Sequence, residues 1–212
     1  MTPSERYRAQ LLEAFPPRAA AEGWTRQAFL AAAADAGLSE GAALLACPKA
    51  ELDLADASAD RADAAMLARL SSLALSDMKV RARVKAAVLA RLEAQAPHKD
   101  AARAMARMLA RRPGEAVRLL WRTADRIWRA LGDPSTDGNF YSKRAILSGV
   151  LGATYAYWHA DDTPDCAPTR AFLDARIDNV MQFERLKGAL KPLGGLAEGA
   201  VGFAARMRYG GR

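Results

Sequence analysis

The 212-residue chain has 51% hydrophobic and 26% charged residues, a balance that excludes a disordered protein. Alanine dominates the apolar residues, and Val, Ile and Thr are sparse. No alternating apolar and polar run is long enough for a strand. The composition therefore predicts an all-α fold. The net charge of +7 suits an anionic partner, but charge alone leaves nucleic acid, anionic lipid and neither equally open.

Cysteine usage and hydropathy predict the compartment. Cys47 and Cys166 stand far apart, which offers neither a disulfide framework nor a cysteine metal site and favours a reducing cytosol. Residues 1–10 lack the apolar core of a secretory signal, and no stretch of about 18 consecutive apolar residues occurs. We therefore expect a protein that is neither exported nor membrane-spanning.

The first 50 residues carry start and stop signals for short helices. A first helix is expected to end at Pro16-Pro17. Thr25 is the expected cap of a second helix that stops at Gly37, and Ser39 caps a third that Pro48 closes. This arrangement of two helices around a glycine turn is typical of a helix-turn-helix.

Residues 50–59 are acidic and are predicted to form a loop, after which longer helices follow. Ser76 is expected to cap one of these, Pro113 to open another, and Thr169 to cap the last. The helix after Pro113 carries an apolar stripe at helical spacing. The stripe consists of Val117, Leu120, Trp121, Ala124, Ile127, Trp128 and Leu131.

The sequence offers few groups for catalysis. His98 and His159 have no second ligand at metal-binding spacing, so we interpret them as surface or capping residues. There is no glycine-rich phosphate loop after a strand and no nucleophile-elbow motif. These observations predict a non-enzymatic protein without a metal or cofactor.

The predicted third helix is poorly suited to reading DNA. Its sequence, Glu40-Gly-Ala-Ala-Leu-Leu-Ala46, offers an acid, a glycine and small apolar groups, with Lys49 as the nearest cation. Recognition helices need side chains that reach base edges and phosphates. We therefore expect a degenerate helix-turn-helix that serves as a packing unit, with no nucleic acid bound.

The stretch Asp137-Gly-Asn-Phe-Tyr-Ser-Lys-Arg144 places two aromatics and two cations in the first turns of a helix. Successive helical residues point about 100° apart, so Phe140 and Tyr141 cannot share one narrow buried stripe. One interpretation has Asp137 or Asn139 as a cap and Tyr141 in the core. The other is an exposed aromatic and cationic surface that anchors a protein partner.

Several motifs together resemble the family of the ninth coenzyme Q biosynthesis protein. They are Trp121-Arg-Thr-Ala-Asp125, Ile127-Trp128, Gly132-Asp-Pro-Ser-Thr-Asp137, Asn139-Phe-Tyr-Ser-Lys-Arg144 and Phe172-Leu-Asp-Ala-Arg-Ile-Asp178. The resemblance covers residues 75 to 187. It implies a fold similar to TetR-type regulators with DNA binding lost, a lipid-binding cavity among the helices, and a homodimer.

The resemblance also implies a role. Members of that family bind isoprenoid quinone intermediates and assist a partner hydroxylase, which performs the chemistry. The partner surface would include the positions of Asp137, Phe140, Tyr141 and Arg144, where Phe140 replaces the commoner Trp. We expect the large apolar residues of the most hydrophobic helices to line the cavity, although they would equally fill a solid core. These residues are Trp121, Ile127, Trp128, Ile146, Val150, Tyr155 and Phe172.

The last 20 or so residues form an amphipathic pattern, with an apolar arc that includes Leu193, Leu196, Val201, Phe203 and Met207. Glycines within this segment make an isolated helix marginal in water. Nearby arginines and lysines would favour anionic lipid headgroups. Packing on its own domain or on a second subunit is the alternative. The resemblance implies a membrane-binding helix.

These inferences combine into one prediction with two alternatives. The predicted domains are a degenerate helix-turn-helix at 1–50, a helical ligand-binding domain at 51–190 and a membrane-binding tail at 191–212. The predicted function is a non-catalytic lipid-binding accessory protein of ubiquinone biosynthesis, peripheral on the cytoplasmic face of a bacterial inner membrane. The alternatives are a TetR-like transcriptional regulator and an enzyme.

Overall fold

A computed structural model describes residues 1–136 and 138–182. These residues contain helices, turns and loops but no strand, which confirms the predicted all-α fold. Eight helices have both ends in this part of the chain, and a ninth, α9, runs from residue 167 to the last described residue, 182. The eight are α1 Pro3–Glu22, α2 Arg26–Asp35, α3 Glu40–Ala46, α4 Glu51–Ser71, α5 Val80–Gln95, α6 Lys99–Ala110, α7 Pro113–Ala130 and α8 Gly138–Ala160.

Helix α1 continues through Pro16 and Pro17, where the sequence predicted that it would end. Proline has no N–H, so Pro16 leaves the carbonyl of Leu12 without its helical donor. Arg61 of α4 donates to that carbonyl, with Nη2 3.4 Å from the oxygen. Phe15, next to the prolines, is buried in the core. Tertiary contacts therefore carry the helix past both prolines.

The short helices α2 and α3 follow the sequence prediction closely. The Thr25 hydroxyl accepts from the N–H of Ala28 at 3.1 Å, and the Ser39 hydroxyl accepts from that of Ala42 at 3.2 Å. Gly37 has φ +69°, the left-handed conformation that ends a helix. The chain turns by 113° between α2 and α3.

The acidic segment 50–59, predicted as a loop, instead forms the start of α4. Leu54 is buried on one side of this helix. On another side Asp56 pairs with Arg118 at 2.7 Å and with Arg122 at 3.1 Å, both from α7. Arg118 lies 62 residues further along the chain, so no local pattern reveals that it balances the charge of this segment.

The buried face of α7 differs from the predicted stripe. Ala124 and Ile127 are buried as predicted, but Val117 is 62% exposed. Thr123, outside the stripe, is buried because its hydroxyl donates to Asp63 of α4 at 3.1 Å. Leu119, one turn before Thr123 and also outside the stripe, is buried too, so the buried face of α7 is shifted towards these two residues.

Two predicted caps are also wrong. Ser76 lies in a short 3-10 turn before α5 begins. Thr169 lies inside the first turn of α9, where its N–H donates to the carboxylate of Asp161 at 3.0 Å. Hydrogen bonds from Thr163 and Thr169 hold the pKa of Asp161 well below its usual range. Asp161 therefore satisfies the backbone at the start of α9 as an anion.

Packing between the helices determines where the candidate site lies. Helix α1 packs against α2, α3, α4 and α6, while α4 packs against α5 and α7. Helix α7 packs along α8, and α6 contacts both. The chain separates into two compact units, Met1–Leu173 and Asp174–Arg212, and the structure describes residues 174–182 of the second. The predicted boundaries at residues 50 and 190 remain predictions.

Candidate functional site

A pocket of about 260 Å³ lies in the first unit, among α4, α5, α6, α7 and α8. Its apolar wall includes Met105, Leu109, Leu119, Leu120 and several alanines. Its polar wall consists of Arg91, Gln95, Thr123, Tyr155 and His159. The pocket therefore combines an apolar lining with hydrogen-bonding groups, as sites for amphiphilic small molecules do.

Of the seven residues predicted to line a cavity, Tyr155 lines this pocket. Ile127 and Val150 are buried in the core. The Trp128 indole N–H donates to the carbonyl of Lys143 at 3.1 Å, tying α7 to α8. Ile146 is half-buried. The remaining two lie against other aromatic rings: Trp121 is 6.3 Å from Tyr141, and Phe172 stacks on Tyr157 at 4.5 Å.

A buried polar network, which the sequence analysis missed, lies beside the pocket. The Arg91 guanidinium donates from Nε to Asp63 at 2.5 Å and from Nη1 to the Tyr155 hydroxyl. Asp63 also accepts from Arg126 at 2.8 Å and from Thr123 at 3.1 Å. Asp63 and Arg91 are fully or almost fully buried, so each charge depends on its partners. The partners come from four different helices, and the only sequence signal was an aspartate on an otherwise apolar face.

His159 was interpreted as a surface or capping residue, but it is half-buried and lines the pocket. Its Nδ1 is enclosed and has no hydrogen-bond partner among the described residues. Burial, together with the nearby cations Arg103, Lys99 and Arg107, lowers the pKa of His159 to about 4. The imidazole is therefore neutral at pH 7.

An exposed aromatic surface lies on the outside of α7 and α8. We define it by Val117, Trp121, Phe140 and Tyr141. Tyr141 is 64% exposed and lies 5.1 Å from the ring of Phe140 and 6.3 Å from that of Trp121. Val117 is one helical turn from Trp121 on α7. The expectation that one ring of the Phe-Tyr pair reaches the surface is confirmed, and the core interpretation of Tyr141 is wrong.

Arg144 does not belong to that surface, because it is only 1% exposed. Its Nε donates to Asp125 at 2.7 Å, and its Nη1 lies 3.4 Å from Asp133. Burial raises the pKa of Asp133, but hydrogen bonds from Lys143 and Ser135 outweigh it and leave that pKa below its usual value. Arg144 is therefore a buried residue that stabilises the start of α8 through Asp125 and Asp133. Asp137, the fourth residue predicted for partner binding, lies outside the described residues.

Other sequence predictions concern metals, DNA and membranes. Within residues 1–136 and 138–182, no three His, Cys, Asp or Glu side chains are placed to hold a metal ion. Helix α3 exposes Glu40, Gly41 and Leu45. Among the described helices, none alone has the length and hydropathy to span a membrane, although α2 and α3 pass that test together as a bent pair. The predicted membrane-binding residues 193–207 lie outside the described part.

A solved structure shares the fold. The TetR transcriptional regulator from Nitrosomonas europaea superposes with a TM-score of 0.65 over 81% of this chain and 95% of its own, at 22% sequence identity. This likeness confirms the predicted TetR-like fold. At that identity it concerns the fold alone.

Curated relatives share sequence with part of the chain. The rat ubiquinone biosynthesis protein COQ9, mitochondrial, is 34% identical over 94 residues, which is 44% of this chain and 30% of the rat protein. The human protein of the same name is 31% identical over the same shares. The probable ubiquinone biosynthesis protein coq9 of Dictyostelium discoideum is 28% identical over 72 residues, 34% of this chain and 24% of its own. The matches thus span less than a third of each relative.

The family model for COQ9 matches residues 114–184. This segment contains most of α7, all of α8 and the described part of α9. It includes the Trp121, Ile127-Trp128, Asn139–Arg144 and Phe172 motifs on which the sequence resemblance depends. Over residues 114–184 the chain is similar to the COQ9 family.

Proposed function

We propose that the chain is a non-catalytic accessory protein of ubiquinone biosynthesis that binds an isoprenoid quinone intermediate and presents it to a partner hydroxylase. The pocket among α4 to α8 holds the lipid. The aromatic surface on α7 and α8 docks the hydroxylase. The segment 191–212 binds the anionic surface of the membrane in which the lipid resides.

One observation carries this proposal. The segment that matches the COQ9 family contributes Leu119, Leu120, Tyr155 and His159 to the pocket and also carries the aromatic surface. The family likeness therefore falls on the part of the chain where both a ligand site and a docking surface are present. The names of the relatives connect that likeness to ubiquinone biosynthesis.

The aromatic surface suits a protein partner. Tyr and Trp are the residues that most often dominate binding at protein interfaces, and exposed apolar side chains are costly in water unless something covers them. Tyr141 and Val117 are both more than half exposed, and the Tyr141 ring lies 6.3 Å from that of Trp121. Arg144 contributes by holding Phe140, not by touching the partner.

A TetR-like regulator that binds a hydrophobic effector is the second candidate, because the fold is shared with such a regulator. The chemistry of α3 argues against it. A recognition helix approaches phosphates, and the exposed Glu40 would repel them while Gly41 and Leu45 offer no hydrogen bond. Lys49, beyond the end of α3, is the nearest exposed cation that follows it.

Deletion of the gene in the source organism tests the proposed function. Ubiquinone should fall, and an isoprenoid precursor that still lacks a ring hydroxyl should accumulate, because the hydroxylase loses its supply of substrate. The unmodified chain should restore ubiquinone. Unchanged ubiquinone in the deletion strain, together with changed transcription of neighbouring genes, would favour the regulator.

A further inference from the structure

Two polar side chains of α8 stand one helical turn apart on the wall of the pocket. Tyr155 and His159 both line it, and their ring centres are 6.2 Å apart. The wall around them is otherwise made mainly of alanines and larger apolar side chains. Residues four apart on a helix lie on the same face, so one ligand can contact both.

The Tyr155 hydroxyl has a proton to donate. Its oxygen accepts from Arg91, and no acceptor for its own proton exists among the described residues. Burial raises the pKa of Tyr155, which keeps the hydroxyl protonated at neutral pH. A tyrosine hydroxyl both donates and accepts, so an oxygen of a ligand would complete its hydrogen bonding.

His159 offers a second donor. Its Nδ1 is enclosed without a partner in the described part of the chain, so a proton at Nδ1 would be a buried, unsatisfied donor. The neutral ring therefore carries its proton on Nε2. Since a neutral imidazole has one donor nitrogen and one acceptor, Nε2 is the atom that donates to a ligand.

Among the described residues, Arg91 is the one charged side chain that lines this pocket, and its charge is already balanced. Arg91 pairs with Asp63 at 2.5 Å, and Arg126 bonds both Asp63, at 2.8 Å, and Asp60, at 2.7 Å. A charged head group would bring an unpaired charge into this apolar space, which costs far more than a hydrogen-bonded neutral group. The site therefore suits an uncharged ligand.

We propose that Tyr155 and His159 are the specificity-determining pair of the pocket, donating hydrogen bonds to oxygen atoms of an uncharged head group and holding the ligand's polar end against α8. This inference rests on the proposed lipid-binding function. It selects a quinone or a related oxygenated ring and discriminates against fatty acids, whose carboxylate is charged. The apolar chain extends along Met105, Leu109 and Leu119.

Isothermal titration of the full chain with a ubiquinone that carries two isoprene units, and separately with dodecanoate, tests the pair. His159→Asn removes the donor at the Nε2 position and should weaken quinone binding about fivefold, the effect of one hydrogen bond. His159→Gln places an amide N–H at about the position of the imidazole Nε2 and should retain quinone binding. Tyr155→Phe should also lose about fivefold. Tyr157→Phe, which loses a hydroxyl on α8 outside the pocket, should lose nothing.

The outcomes separate this inference from the proposed function. Ala106→Leu fills the pocket and should weaken quinone binding whichever way the lipid lies. If it does so while His159→Asn and Tyr155→Phe bind like the parent chain, the pocket is used but the pair is not its specificity determinant. Dodecanoate binding as tightly as the quinone would also overturn the inference. If the parent chain binds neither probe, the proposed function fails with it.

Discussion

The guanidinium carbon of Arg144 lies 3.4 Å from the centre of the Phe140 ring, and Nη1 of the same side chain donates to the Phe140 carbonyl at 3.1 Å. The cation is held in turn by Asp125 and Asp133. Phe140 is thus supported both at its ring and at its backbone. A buried salt-bridge network therefore fixes the part of α8 that displays Tyr141.

Replacing Arg144 with Ala should lower the free energy of unfolding by about 2–3 kcal/mol, because Asp125 and Asp133 would lose charge-assisted hydrogen bonds from a buried side chain. Arg129→Ala is the matched control. Arg129 bonds the same Asp125 at 2.7 Å, but its side chain is 71% exposed. It should cost no more than about 1 kcal/mol. Urea unfolding followed by circular dichroism measures both, and equal losses would contradict the support role of Arg144.

Replacing Tyr141 with Ala should weaken binding of the proposed hydroxylase partner and leave folding unchanged. An exposed aromatic anchor typically contributes about 2 kcal/mol at an interface, or roughly a 30-fold change in Kd. Leu45→Ala removes an equally exposed apolar side chain on α3 and should not affect the hydroxylase. Surface plasmon resonance measures the Kd of both variants for the hydroxylase, and thermal melts measure their stability. Unchanged hydroxylase binding by the Tyr141 variant would exclude it as an anchor.

Local signals predicted α2 and α3 well but failed at Pro16-Pro17, Ser76 and Thr169, and the long-range contacts were missed. Thr25, Ser39 and Gly37 act where they were placed, because caps and turns depend on neighbouring residues. Arg144 was assigned to the partner surface from the family resemblance, and its carboxylate partners Asp125 and Asp133 were missed because they lie 19 and 11 residues away. A helical motif alone cannot show which side of α8 meets those carboxylates.

The predicted cavity lining differs from the lining of this pocket for a related reason. Large apolar residues such as Ile127 and Val150 were expected to surround a pocket, but close packing makes them fill the core. The pocket lies where small residues such as Ala106 and Gly152 leave space. Tyr155 was predicted to line it, but its contact with Arg91 was not, because the two residues are 64 apart in sequence.

The pH dependence of stability should reflect His159. Its pKa is about 4 in the folded chain, below the ordinary 6.5, so the unfolded chain binds the proton more readily. The free energy of unfolding should therefore fall as pH decreases from 6.5 towards 4. His159→Gln removes the titrating group, so the free energy of unfolding of this variant should depend less on pH between 6.5 and 4. Urea midpoints at several pH values measure the slope, and equal slopes for parent and variant would contradict the assignment.

Deleting residues 191–212 should abolish the proposed membrane binding and spare the fold. Helices α1 to α8 all precede the deletion, so the truncated chain retains the pocket. Co-sedimentation with liposomes, with and without anionic lipid, compares the two forms. Added salt should weaken binding of the full chain, because it screens the basic residues from the lipid headgroups. Equal sedimentation of both forms would exclude the segment as the membrane anchor.

Mass spectrometry of the organic extract of the chain, purified from its source organism, tests lipid binding most directly. The proposal predicts a near-stoichiometric isoprenoid quinone or phenol in the unmodified protein and a marked loss of it in Ala106→Leu, which fills the pocket. Pure protein that carries no isoprenoid or other lipid would contradict the central claim.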